Sequence, residues 1–581
     1  MSKTKMTKAM LPAGTDEKLA DNLMKVYQAF DDGQPKFVTE EIEEGTGVYK
    51  RRETENNKVL RHELMKAAIQ PLIERVKLMK TSITTGSNFT PYDLQAPSRH
   101  LVPWLSPIRG SLPRSKRASA GLTAHWKTVI PQAGSYTRGG MPASPWVNNG
   151  QRAPEISVAA RDVSVSYVTI GKDGSVQFEA ESASGGFEDA LAVGHFFTLE
   201  TLMVSEEDSL LGGNKTLLLG QTNTPAVAIS GSGSFSGTFY VACVGLTYEG
   251  YRNFVLQNGL DSSTGLPLAA TGPGLTQQMG ITTGDGKTMT VNSGSGKPSA
   301  ISSALSPSSS VTATASVTAK TGELAWLWYI GTANAASSLY LVACTTVPSY
   351  SFTAAPAATG QLFSALQAVD FSVNDGTTGG GQNQVTAYDG LITQALNNTT
   401  LTPQNAYTLK MNGGLLTTSG RGNVDQIDTM LSTLWNLYKV TIDVIYVNAQ
   451  ELQNITSRVL NGSSAPLLRI NKDANSSEYD LTGSGVISFY FNPFIPGGKK
   501  IPIMVHPTMP PGTILFYAKD LPPFYKTSDT PIVAEVLTRK DYYSQEYAIT
   551  TREYQFGTYC ESALAVYAPF CLGLITGVGN G

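Results

Sequence analysis

Three consecutive acids, Glu206, Glu207 and Asp208, offer oxygen ligands of the kind a divalent cation takes. Acids clustered at one end of a helix are more usually solvated or ion-paired, and no second ligand type accompanies these. The five histidines, His62, His100, His125, His195 and His506, lie far apart, and His195 falls inside an apolar stretch where it reads as a core or interface residue. There is no Gly-x-Ser-x-Gly elbow and no His-Glu-x-x-His pair. Gly212-Gly213-Asn214-Lys215-Thr216 has the lysine and hydroxyl of a phosphate loop, but it lacks the glycine directly before the lysine and follows a helix where a strand is required. The four cysteines, Cys243, Cys344, Cys560 and Cys571, show neither Cys-x-x-Cys spacing nor a nearby histidine, so they read as small buried hydrophobes. No catalytic residue, cofactor or metal site is expected.

The composition bears on partners. A net charge of -3 over 581 residues announces neither a nucleic-acid nor a membrane partner. Charged residues make up 15%, below the usual value of about 25%, while glycine is raised at 56 residues. A chain of this size with so few charges must hide much of its surface, most simply against copies of itself. The N-terminus has no apolar signal core, and the apolar run 564–575 contains Pro569 and is shorter than the ~20 residues that span a bilayer. The protein is therefore expected in the cytosol.

The acids end a long apolar segment. Residues 187–211 contain no proline and carry Phe187, Leu191, Phe196, Leu199, Leu202, Met203, Leu210 and Leu211. Such a helix is roughly 37 Å long at about 1.5 Å per residue, and Gly212 supplies its stop. Its macrodipole disfavours acids in the last turns, so basic groups from elsewhere, on this chain or a neighbouring one, must answer Glu206, Glu207 and Asp208.

The other elements follow in order. Residues 1–80 are charge-rich and helical in pattern, with candidate helices at 16–30 and 56–80 and a basic run at Lys50-Arg51-Arg52 that reads as solvated surface. Pro91, Pro97, Pro103, Pro107 and Pro113 then impose an extended segment whose Leu101, Trp104 and Ile108 must be buried, an arm laid on a neighbour. Residues 126–182 read as a long β-hairpin, with a turn at Gly171-Lys172-Asp173-Gly174. A Gly, Ser, Thr and Ala-rich island at 216–356 reads as a small β-sandwich with Trp326 and Trp328 in its core. In it Tyr240-Val241-Ala242-Cys243 and Tyr340-Leu341-Val342-Ala343-Cys344 suggest equivalent strands. In the last third, Asn423 with Gln426 and Asn448 with Glu451 start helices, and strands at 444–447, 501–505, 513–517, 532–538, 542–549 and 552–559 complete an α+β body.

The residues Leu101-Val102-Pro103-Trp104-Leu105-Ser106-Pro107-Ile108-Arg109, His125-Trp126-Lys127, Tyr446-Val447-Asn448-Ala449-Gln450-Glu451-Leu452, Phe491-Asn492-Pro493-Phe494 and Pro507-Thr508-Met509-Pro510-Pro511-Gly512-Thr513 carry a resemblance. With the order of parts, they resemble the major capsid protein of tailed double-stranded-DNA bacteriophages, of the Hong Kong ninety-seven capsid fold, over about residues 84–216 and 363–574. No single motif decides it.

The resemblance implies a helical leader at 1–83, which can serve as internal scaffold and is expected to stay attached, an N-arm at 84–110, and an E-loop at 111–184 that lies across a neighbour. It implies a spine helix and peripheral domain at 185–219 and 360–400, an axial domain mainly at 401–530, and shared strands at 531–581. Residues 220–359 become an inserted all-β, sandwich-like domain. The implied work is geometric: hexamers and pentamers of one chain enclose double-stranded DNA in an icosahedral shell, with a portal, scaffolding or decoration proteins as partners, non-specific contact with packaged DNA, and no membrane. Trp104, Arg109, Lys172, Glu206, Glu207 and Asp208 are the expected inter-subunit contacts, the acids meeting basic groups of an adjacent subunit. Some relatives cross-link E-loop lysines to a neighbouring asparagine; Lys172 is the residue so placed here, although a solvated turn lysine is the ordinary reading. Two alternatives are a cellular nanocompartment shell of the same fold and a β-rich surface adhesin, for which a secretion signal is missing.

Overall fold

Val444–Val447, Ile514–Tyr517 and Leu572–Thr576 are almost wholly apolar runs buried at every position, a pattern that requires cover on both faces of a sheet. In the computed structural model they are neighbours in a six-stranded mixed sheet, ordered Tyr407–Lys410, Leu572–Thr576, Ile514–Tyr517, Val444–Val447, Lys499–Val505, Phe489–Asn492. Helix Asp425–Tyr438 packs on it with Ile427, Met430, Leu431 and Leu434, and helix Leu391–Leu396 adds Leu391, Ile392 and Ala395 to the same core. The structure describes residues 40–42, 49–51, 92–93, 105–116, 121–129, 147–152, 160–184, 190–261, 266–355, 357–380, 382, 384–397, 406–420, 422–461, 487–522, 525–526, 532–549 and 551–579. Met1–Phe89 and Thr90–Gly581 are two compact units. In the first, Glu40–Ile42 pairs antiparallel with Tyr49–Arg51, while the helices expected at 16–30 and 56–80 lie outside the described residues.

A second sheet carries the long helix. Its strands run Tyr92–Asp93, Ala534–Glu546, Glu553–Val566, Val168–Gln177, with Arg114–Lys116 parallel to Ala534–Glu546. Helix Ala190–Gly212, 23 residues, packs on it through Leu199, Leu202 and Met203 against Tyr542 and Cys560. Glycine ends it as expected, with the Gly213 amide donating to Ser209 O at 3.0 Å. The expected break between strands at 532–538 and 542–549 is a single strand whose register shifts twice between Thr538 and Tyr543. The irregularity absorbs the charged run Arg539-Lys540-Asp541 without ending the strand.

The hairpin differs from its expectation. Thr123–Val129 pairs with Ala160–Ser166, but Gly171-Lys172-Asp173-Gly174 is no turn: Val168–Gln177 continues through it, paired from Gln177 opposite Glu553 to Val168 opposite Ser562. The glycines answer aromatic rings instead. A Cβ at Gly171 would overlap the Tyr559 ring, and one at Gly174 would stand 2.8 Å from Phe556 Cζ. Gly171→Val should therefore lower stability by about 1–3 kcal/mol in urea denaturation, while Lys172→Ala, at an exposed position, leaves the midpoint unchanged.

Residues 226–352 hold two three-stranded antiparallel sheets, Ser349–Phe352, Ser310–Ser316, Ala226–Phe235 and Leu339–Thr345, Ala325–Gly331, Tyr240–Leu246. Between them pack Trp326, Trp328, Ile330, Val241 and Cys243 with Ala313, Ala315, Val317 and Phe352. The alternate residues Leu327, Tyr329, Val244 and Leu246 meet Tyr251 and Phe254 of helix Tyr248–Asn258. The segment is thus layered sheet, sheet and helix rather than all-β. The second covered face explains why Ala325–Gly331 shows no polar alternation. The two similar Tyr and Cys strands flank this central strand, one on each side.

Helix starts in the body also depart in detail. Asn423 and Gln426 form no capping box; the Asn423 Oδ1 accepts from Gly420 N at 3.0 Å and Gln426 Oε1 from Thr417 N at 2.9 Å, closing a turn before the helix opens at Asp425. Asn448 Oδ1 does accept from Gln450 N at 2.9 Å, but Glu451 accepts from Gly512 N at 3.0 Å and ties the helix to the next loop.

Candidate functional site

Consecutive residues on a helix point about 100° apart, so three adjacent acids need three different sets of partners. Glu206, Glu207 and Asp208 are 0%, 1% and 4% exposed, and each joins the long helix to a different element. Glu206 faces the second sheet and the segment 105–116. Its Oε2 accepts from Arg109 Nε at 3.1 Å and Arg114 Nη1 at 3.0 Å, its Oε1 from Arg114 Nη2 at 3.0 Å, and the Tyr542 hydroxyl donates to it as well. Arg114 also forks onto Asp541, with Nη2 2.7 Å from Oδ1 and Nε 3.2 Å from Oδ2. The Tyr542 ring lies against both guanidiniums, 4.8 Å from Arg109 Cζ and 5.1 Å from Arg114 Cζ. Burial alone pushes the Glu206 carboxyl up, but Arg114 and Arg109 together outweigh it and hold the group below the usual carboxylate range. The same burial, with Glu206 beside it, raises the Tyr542 phenol well above its ordinary value and keeps it a hydrogen-bond donor.

Glu207 works differently. It accepts from the backbone amides of Ile108 at 2.8 Å and Arg109 at 2.7 Å, in the short helix Pro107–Ser111 whose first residue has no amide to offer. His506, fully buried, approaches the same carboxylate with Nε2 at 2.8 Å; Thr508 N donates to its Nδ1 at 3.3 Å, which leaves the ring proton on Nε2 for Glu207. Asp208 accepts from Arg252 Nη2 at 2.7 Å and from Tyr248 Oη at 3.1 Å, both on helix Tyr248–Asn258. The helix dipole's unfavourable end is thereby offset by guanidiniums drawn from helix Pro107–Ser111, from a sheet strand and from the 226–352 layers.

The site residues expected from the sequence divide three ways. Arg109, Glu206, Glu207 and Asp208 are brought together within one chain, where the acids meet intramolecular partners and keep almost no surface. Lys172 stands exposed in mid-strand opposite Thr558, away from any loop tip. Trp104 lies outside the described residues. Sequence reasoning missed Arg114, Tyr542, His506, Tyr248 and Arg252. The only available signal was the unanswered acids themselves, which call for cations without saying where they are. Among the described residues no group of three or more His, Cys, Asp and Glu side chains is arranged to hold a metal ion, and no helix is long and apolar enough to cross a membrane.

This arrangement fixes elements; it presents no open cleft or activated nucleophile. All four cysteines are buried, and burial pushes the Cys560 thiol well above its ordinary value although Arg114 is near. No family model matches the chain and no curated protein matches it. Among solved structures, the holo-SrpI encapsulin complex of Synechococcus elongatus aligns at a TM-score of 0.33 and 8% identity, over 86% of this chain and 95% of its own. The capsid of a native GTA particle aligns at 0.34 and 7%, over 86% and 96%, and Mycobacterium phage Bobi at 0.32 and 7%, over 85% and 96%.

Proposed function

We propose that the chain is a major capsid protein, which assembles as hexamers and pentamers into the icosahedral shell around a tailed phage's double-stranded DNA. The observation that carries this reading is the junction at the end of the long helix. One buried cluster locks the segment leading out of the arm, the strand after it, the α+β body and the 226–352 layers to a single rod, in the order the sequence resemblance implies. A building block that repeats in a shell needs its parts held at fixed angles before it meets its neighbours, and a cluster without exposed chemistry serves that purpose. The layers at 226–352 are then an insertion facing outward, residues 1–83 an internal scaffolding segment, and a portal the partner at one vertex.

Electron microscopy of the purified full-length protein tests the reading. Closed shells with six-fold and five-fold units are expected, and particles from infected cells should hold nuclease-resistant double-stranded DNA. Shells that enclose a protein cargo and no DNA would replace the phage assignment with a nanocompartment. A persistent monomer would overturn both.

A further inference from the structure

Attack of a backbone amide on the side chain before it is easiest where that amide belongs to glycine, which has no Cβ to shield it. Five asparagines precede a glycine, and the structure describes both residues of three such pairs, Asn149-Gly150, Asn258-Gly259 and Asn412-Gly413. Asn258 is buried; its Nδ2 donates to Phe254 O at 2.9 Å and Gly274 O at 3.0 Å, its Oδ1 accepts from Gly274 N at 2.9 Å, and the Gly259 amide donates to Val255 O at 2.8 Å. Asn412 is exposed, but its turn is laced to residues 576–579: Met411 N donates to Thr576 O at 2.8 Å, Gly413 N to Gly577 O at 2.7 Å and Gly579 N to Gly414 O at 2.9 Å. Asn149-Gly150 has neither protection. Both residues are exposed, neither makes a hydrogen bond among the described residues, and a Cβ at Gly150 would meet nothing within 4 Å. They form the centre of a surface turn held by Gln151 N donating to Asn148 O at 3.0 Å and Asn148 Nδ2 to Gln151 Oε1 at 3.4 Å, with Gly150 at a φ of 84°.

We propose that Asn149 is a self-modifying site: in the folded protein it converts to aspartyl and isoaspartyl residues, while the fold preserves Asn258 and Asn412. The Gly150 amide first swings toward the Asn149 carboxamide, which costs the surface bonds of one turn. Its nitrogen gives its proton to hydroxide and attacks Asn149 Cγ; the N–Cγ bond forms, the Cγ–Nδ2 bond breaks, and Nδ2 leaves as ammonia with a proton taken from water. Water then opens the five-membered imide at Cγ, giving aspartate, or at the main-chain carbonyl, giving isoaspartate with the chain running through the β-carbon. No oxidant or enzyme is needed. Either product adds one negative charge to an exposed turn, and the second also lengthens the backbone there. Asn258 and Asn412 must each first give up at least three bonds that pack against the rest of the fold. Each such bond lowers the reactive population roughly fivefold, so both sites should lag Asn149 by about twentyfold or more.

The test is incubation of the full-length protein at pH 8 in oxygen-18 water, followed by tryptic digestion in ordinary water and mass spectrometry of peptides 139–152, 253–287 and 411–421. Product formed during the incubation carries the heavy oxygen, which separates it from product formed in the digest. Labelled aspartyl and isoaspartyl forms should accumulate at Asn149 about twentyfold faster than at Asn258 or Asn412. In urea the three pairs should react at similar rates, because the protecting bonds are gone. Equal rates in the folded protein overturn the proposal, and so does an order of reactivity that persists in urea, since the fold would then not be what selects the site. Asn149→Gln, whose longer side chain closes the ring poorly, should remove the label from 139–152; label remaining there on Asn148 overturns the assignment to Asn149.

Discussion

Arg114→Met should destabilise the chain by about 3–5 kcal/mol, because it takes the shared cation from two buried carboxylates. The Arg114 side chain is 4% exposed and serves two buried carboxylates, Glu206 at 0% and Asp541 at 5%. Methionine fills similar volume but takes the shared guanidinium from both acids, leaving Glu206 with Arg109 at 3.1 Å. Much of the cost is the penalty of burying an unanswered charge, so it should shrink on acidification. In the wild type, Glu206 has a carboxyl lowered below 4.5, and the stability it contributes is present above that value and lost as pH falls through the depressed one. In the variant, burial is no longer outweighed, the carboxyl rises, and the deficit relative to wild type should be greatest at pH 7 and smaller at pH 4. Urea denaturation of the purified protein at both values checks this. Arg552→Met, which breaks an ion pair with side chains 78% and 59% exposed, should leave the midpoint essentially where it is.

Trp328→Ala should cost about 3–5 kcal/mol as well, but locally. Trp328 is fully buried between the two sheets of residues 226–352, with Nε1 donating to Thr345 Oγ1 at 2.8 Å and its ring stacked 6.5 Å from Tyr350. Its removal opens a cavity that neighbours on two rigid sheets cannot close. Because the body's core is a separate cluster, calorimetry should show a low-temperature transition for the layers alone, and limited proteolysis should cut within 226–352 first. Trp328→Phe, which keeps a ring there, should recover most of the loss. A single transition shifted as a whole would mean that layers and body unfold as one unit.

What could be read from the chain beforehand differs by scale. The long helix was legible because its apolar run is bounded by glycine, and the body because Val444–Val447 and Ile514–Tyr517 have a strand's length and composition. The Gly171-Lys172-Asp173-Gly174 stretch was misread because a glycine pair signals a turn and a close approach equally well, and only Tyr559 and Phe556, far along the chain, decide between them. Helix Tyr248–Asn258 was hidden by the Gly-rich composition around it, although Thr247 caps it by accepting from Gly250 N at 3.2 Å. The candidate site was half legible: misplaced acids on a helix state a need, but nothing local marks Arg114 or His506 as the answer.

The ion pairs that close the cluster have a further consequence, for the order of events during synthesis. Arg114 and Asp541 are 427 residues apart in the chain, and Arg109 and Tyr542 are 433 apart. At common elongation rates the arginines wait roughly 20–85 seconds on the ribosome before their C-terminal partners exist. Until then Glu207 can already hold the amides of Ile108 and Arg109, but the strand that brings Asp541 and Tyr542 to Arg114 and Glu206 does not exist and the cluster stays open. Completion of the polypeptide is thus the event that closes the cluster, a timing device written into which residues neutralise which.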